Sequence, residues 1–161
     1  MNELLNKVSS YNVFNYLLPG IVFAVLASGI LQNPIGNRNI ITAAFLYYFV
    51  GLVVSRFGSL VVEPLLRWLR LVDFSRYRNF VVAEKRDEKI GVLSEVNNTY
   101  RTFCAMFILL LLLRLVVRIE ASFPFLRDWN TTILLSLLLI LFLFSYRKQT
   151  AYITERIKAN S

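Results

Sequence analysis

Apolar positions in this chain fall into four long blocks, at about residues 13–31, 40–60, 102–117 and 129–146, and most charged positions lie between and after them. Inside a block the apolar residues run almost continuously, with neither strand alternation nor a single helical stripe. Each block approaches the ~20 residues that cross a ~30 Å hydrocarbon core at 1.5 Å rise. Lipid offers the backbone no hydrogen-bond partners, so each block must satisfy its own N–H and C=O groups as a helix. The pattern predicts an all-α polytopic membrane protein with four transmembrane helices in a single membrane domain, residues 1–161. Residues 61–101 form a short helical hairpin between the second and third helices, and 147–161 a C-terminal tail.

Polar punctuation refines this outline. No stop signal closes the second block, so its helix is expected to run on through Glu63, Pro64 and Arg67, with Leu65, Trp68, Leu69 and Leu71 at the membrane interface. Asp87 is placed to cap a helix that continues through Leu93 and Val96 into the third block. The intervening hairpin is too short to bury a core of its own. It must therefore rest on the membrane, pack against copies of itself, or dock a partner. Its cations, Arg67, Arg70, Arg76, Arg78, Lys85, Arg86 and Arg101, are the expected contacts to a protein partner or to anionic lipid.

Small residues supply the packing signal. Gly20, Ala24 and Ser28 recur every fourth residue in the first block, as do Gly51, Ser55 and Ser59 from the second. Such strips let helix backbones approach closely in lipid, so these six residues are assigned to helix packing or to an interface between copies. The third and fourth blocks, rich in leucine, are expected to face lipid. Pro19 withholds one backbone donor and predicts a kink, with Asn12 and Asn15 available to serve the freed carbonyl and Tyr11 and Tyr16 at the interface. Arg114 interrupts the third block and is the candidate pore-lining residue, the alternative being a stem that snorkels to the headgroups.

Charge then sets orientation. The 161-residue chain is 57% hydrophobic yet carries a net charge of +8, with a mean hydropathy of +0.56. Lys7, the cations of the middle segment, and Arg147, Lys148, Arg156 and Lys158 lie on one side, against Arg38, Arg118 and Arg127 on the other. The positive-inside rule places both termini and the middle segment in the cytoplasm. Glu3 and Lys7 ahead of a full-length apolar block do not read as a cleaved leader. Cys104 is the single cysteine, expected as a buried structural thiol, and histidine is absent, which removes histidine metal sites and Ser-His-Asp chemistry. With no phosphate-binding glycine loop, nucleophile elbow or metal-ligand spacing, the expectation is a non-enzyme without cofactors.

The entry Asn15-Tyr16-Leu17-Leu18-Pro19-Gly20, the basic middle segment, and Asn97-Asn98-Thr99-Tyr100-Arg101 leading into a leucine-rich third block resemble small four-span proteins of bacterial anti-phage loci. The membrane component of the Kiwa defence system has a similar architecture. The resemblance covers the whole chain as architecture and transfers no site residue. It implies an oligomeric inner-membrane component that senses infection at the envelope and recruits a cytoplasmic, DNA-binding partner, without itself contacting nucleic acid. A pore-forming effector that depolarises the cell, and a structural accessory subunit of a membrane complex, are the alternative readings.

Overall fold

The computed structural model of the chain describes residues 13–36, 39–75 and 77–159. Every regular element among the described residues is a helix, with no strand. A π-helical turn, Val13–Leu17, leads without a break into α1 (Leu18–Leu31), whose first turn holds Pro19. α1 ends at Gln32, which adopts a left-handed conformation (φ 54°), with Pro34 close behind. Asn39 caps α2 (Ile40–Phe57): its Oδ1 accepts the N–H groups of Ile41 at 2.9 Å and Thr42 at 3.3 Å.

A second π-helical turn, Gly58–Val62, carries α2 without a break into α3 (Glu63–Trp68). The N–H of Glu63 donates to the carbonyl of Gly58, one residue further back than in an α-helix. Each π turn lies just ahead of a proline, Pro19 or Pro64. A proline cannot donate to the carbonyl four residues before it, and the widened turn relieves that mismatch. α3 closes with the N–H of Leu71 on the carbonyl of Leu66 and that of Arg70 on Arg67, both at 3.0 Å, with Arg70 left-handed (φ 56°). This paired pattern is a Schellman motif with arginine where glycine is usual.

Next come α4 (Tyr77–Arg86), α5 (Lys89–Ser122), a 3₁₀ turn (Pro124–Trp129) and α6 (Asn130–Lys158). Asp87 Oδ1 accepts the N–H of Lys89 at 3.0 Å, so the expected acidic cap opens a helix of 34 residues. Among the described residues three helices are long and apolar enough to cross a membrane: Ile40–Trp68, Lys89–Ser122 and Asn130–Lys158. The apolar helix Asn15–Leu31 has 17 residues, a length of about 26 Å. Lys89–Ser122 and Asn130–Lys158 overrun the apolar blocks by a dozen or so residues at the charged end, so among the described residues α4 is the one helix there that is not an extension of a longer one.

The core sits where α1, α2 and α5 meet. Gly20 and Gly51 form the closest approach: a Cβ on Gly20 would overlap the carbonyl oxygen of Tyr47, and one on Gly51 that of Tyr16. Ala27, Val54, Val62, Ala105, Met106 and Leu110 make the buried apolar cluster. Three of these come from α5, so the third apolar block does not simply face lipid as its leucine content suggested. Thr102, Ala105, Met106 and Leu110 recur at helical spacing, and that face turns inward. α6 is peripheral. Only Ser145 is buried along it, Phe142 stacks on Phe49 with centroids 6.1 Å apart, and Leu134, Leu135, Leu137, Leu139 and Leu143 stay exposed. So broad an apolar surface suits lipid, not water.

Candidate functional site

Beyond the apolar core the helix extensions bring four charged side chains to one point. Glu63, at the start of α3, is only 8% exposed. Arg101 Nη1 donates to its Oε2 at 2.7 Å and Arg67 Nη2 to its Oε1 at 3.2 Å, while Lys148 Nζ lies 3.6 Å from Oε1. Lys148 also donates to the carbonyl and the hydroxyl of Ser59, at 2.7 and 2.8 Å. Burying a lone carboxylate is costly unless it is paired and hydrogen-bonded, and here both oxygens are served. The node fastens α3, α5 and α6 to the second π turn. Arg67 also spreads over the Phe74 ring, 4.3 Å from its centroid, and so holds the strap between α3 and α4.

A polar triad lies one layer deeper. Asn15 Nδ2 donates to Ser55 Oγ at 3.4 Å. The Thr102 hydroxyl is 2.8 Å from the carbonyl of Asn98, 3.0 Å from Asn15 Oδ1 and 3.3 Å from Ser55 Oγ. Its one proton serves either of the first two acceptors, and its lone pairs are left for Ser55. The first π turn matters here, because it presents Asn15 inward to α2 and α5. Asn15 thus bonds across helices.

Glu63, Arg67 and Arg101 of the node, with Ser55 of the triad, line the floor of a cleft of about 580 Å³. Among the described residues Arg56, Arg67 and Arg101 supply its positive charge, and Glu63 its only carboxylate. Tyr16, Ser55, Ser59, Ser94, Asn97, Asn98 and Gln149 add hydroxyls and amides, and Phe74, Tyr77, Phe80 and Tyr152 add rings. Tyr77 packs on Tyr152 with centroids 5.1 Å apart, which seats α4 against α6. Arg156 and Glu84, 3.8 Å apart, tie the same two helices. The half-buried Arg56 makes no ion pair among the described residues, and Arg101 Nε is buried with no hydrogen-bond partner. Among the described residues no group of three or more His, Cys, Asp or Glu side chains is gathered that could hold a metal ion.

The residues singled out from sequence divide accordingly. Gly20, Ala24, Gly51, Ser55 and Ser59 are buried between helices of this chain, and Ser28 donates to the carbonyl of Ala24 and accepts the N–H of Ile35. Arg67 and Arg101 converge on Glu63, whereas Arg70, Lys85 and Arg86 are exposed. Arg76, Lys7, Tyr11, Asn12 and Arg38 lie outside the described residues, as do the side chains of Arg78 and Arg127. Arg114 and Arg118 are exposed on α5, and Cys104 is exposed too, contrary to the expected buried thiol: it lies off the inward face marked by Thr102, Ala105 and Met106. Sequence reading undervalued Glu63, Lys148, Asn15 and Thr102. The signal for Glu63 was its place as the one acid beside an apolar face, four residues ahead of Arg67. For Lys148 it was a cation directly after an apolar block. No protein-family model, curated protein or solved structure matches this chain.

Proposed function

We propose that the chain is a non-enzymatic, oligomeric component of the bacterial inner membrane that recruits a cytoplasmic protein, in an anti-phage defence system that senses infection at the envelope. In this reading all four apolar helices span, and both termini and the charged end lie in the cytoplasm. The shorter first helix reaches across with its π turn and local thinning or tilt of its neighbours. The observation that carries the reading is the Glu63 node. It clamps the cytoplasmic ends of three helices into one layer, while α4 presents Lys85 and Arg86 outward and unburied. A layer of that kind suits holding a partner, and it shares its packing with the spanning helices, so a disturbance in the membrane reaches it mechanically.

The test is a pair of charge reversals, Lys85→Glu with Arg86→Glu, on the exposed face of α4. They leave the node untouched, so membrane insertion and thermal stability should match the wild type while the partner no longer co-purifies. Full partner retention in this variant contradicts the reading.

A further inference from the structure

We infer that the cleft at the charged end is a binding site for a phosphate ester, either the headgroup of an anionic phospholipid or a soluble phosphorylated molecule. The inference rests on the reading of this end as the layer that holds a partner, and it names the chemistry of a ligand that this layer takes.

Charge balance is the first argument. Three guanidinium groups face one carboxylate in the cleft, and Lys148 stands behind that same carboxylate. Both oxygens of Glu63 are already occupied, by Arg67 and Lys148 on one and Arg101 on the other, so its charge is spent inside the floor. The lining is left with unbalanced positive charge in a partly desolvated place, where an anion is worth more than in water. Two donors are ready for it: the half-buried Arg56 guanidinium without an ion-pair partner, and Arg101 Nε, buried without any acceptor. A buried donor without a partner is uncommon in a folded protein and calls for an acceptor.

Shape and lining narrow the chemistry. Guanidinium forks match phosphate oxygens in geometry, better than they match a halide or a point charge. A volume of about 580 Å³ far exceeds a free phosphate ion and falls in the range of small-molecule sites. The remaining wall combines hydroxyls and amides with aromatic rings, among them Asn97, Gln149, Tyr77 and Tyr152. That wall suits a polar organic group esterified to phosphate, glycerol or nucleoside alike.

The experiment uses the full chain in nanodiscs. In one arm, discs of phosphatidylcholine alone are titrated with ATP as the soluble probe. In the other, native mass spectrometry counts phosphatidylglycerol retained by protein released from mixed discs. Wild-type protein should show one saturable site in one arm, weakened at least ~10-fold by Arg56→Gln, which removes a cation that holds no ion pair. Asn97→Glu, which adds an acid at the cleft wall and deletes no cation, should weaken the same arm. ATP binding in uncharged lipid identifies a soluble source, and retained phosphatidylglycerol without ATP binding identifies the headgroup. No saturable site in either arm, or wild-type affinity in both variants, overturns the inference. Partner pull-down is a separate readout: no phosphate binding with the partner retained refutes the cleft alone, and phosphate binding with no partner refutes recruitment alone.

Discussion

Among the described residues Glu63 is the only charged residue that is buried, and three cations from two further helices and its own depend on it. Removing it leaves Arg101 and Lys148 close together with no counter-charge. Glu63→Ala is expected to cost about 3 kcal/mol, toward the low end for a broken buried pair because Arg67 is half exposed. Thermal unfolding in detergent checks this, with Glu155→Ala as control. Glu155 holds only an exposed pair with Lys158 and should matter by about 0.5 kcal/mol or less. Arg70 is the second residue with a sharp expectation. It sits left-handed at the end of α3, where a side chain with a Cβ is strained and glycine is not. Arg70→Gly should raise stability by about 1 kcal/mol, read as a higher melting temperature. A fall would mean that the arginine charge stabilises the layer by more than its backbone costs.

At the scale of elements, α1 and α2 meet through two glycines that a methyl group would force apart. Gly51→Ala should therefore lower the melting temperature sharply, since the obstacle is the Tyr16 carbonyl and not a movable side chain. Gly29 lies on the same helix as Gly20 with nothing within 4 Å of an added Cβ. Gly29→Ala should be neutral or stabilising by up to about 1 kcal/mol, from helix propensity alone. Similar gains in both variants would show that propensity, not close approach, governs this helix pair. The small-residue strips were legible in the sequence because a four-residue repeat of Gly, Ala and Ser has one geometric consequence on a helix. The inward face of α5 was not, because leucine on every side hides which side is buried. Only Thr102 and Ala105 mark that face, and each alone reads as incidental. The π turns were also hidden: Pro19 and Pro64 announce a disturbed ladder but not the widened turn that absorbs it.

For the whole molecule, the pattern of apolar blocks gave the all-helical class and helices able to span, because lipid leaves a continuous apolar run few alternatives. The cleft was half legible. Ser94, Asn97, Asn98 and Arg101 share one helical face and do line it, but the partners they meet, Glu63 and Tyr152, are some thirty to sixty residues away in sequence. No spacing rule reaches that far. What the assembled molecule presents is a helical bundle with a wide apolar flank on α6 and a basic, charge-locked layer at one end. The central claim is that this layer holds a cytoplasmic partner. The most direct measurement is a mild-detergent pull-down of the tagged protein from its native host, with the mass of the intact complex. The account predicts several copies of this chain with a stoichiometric soluble partner, lost in the Lys85→Glu, Arg86→Glu variant. A homo-oligomer that carries no partner would contradict it and turn attention to conduction and to Arg114.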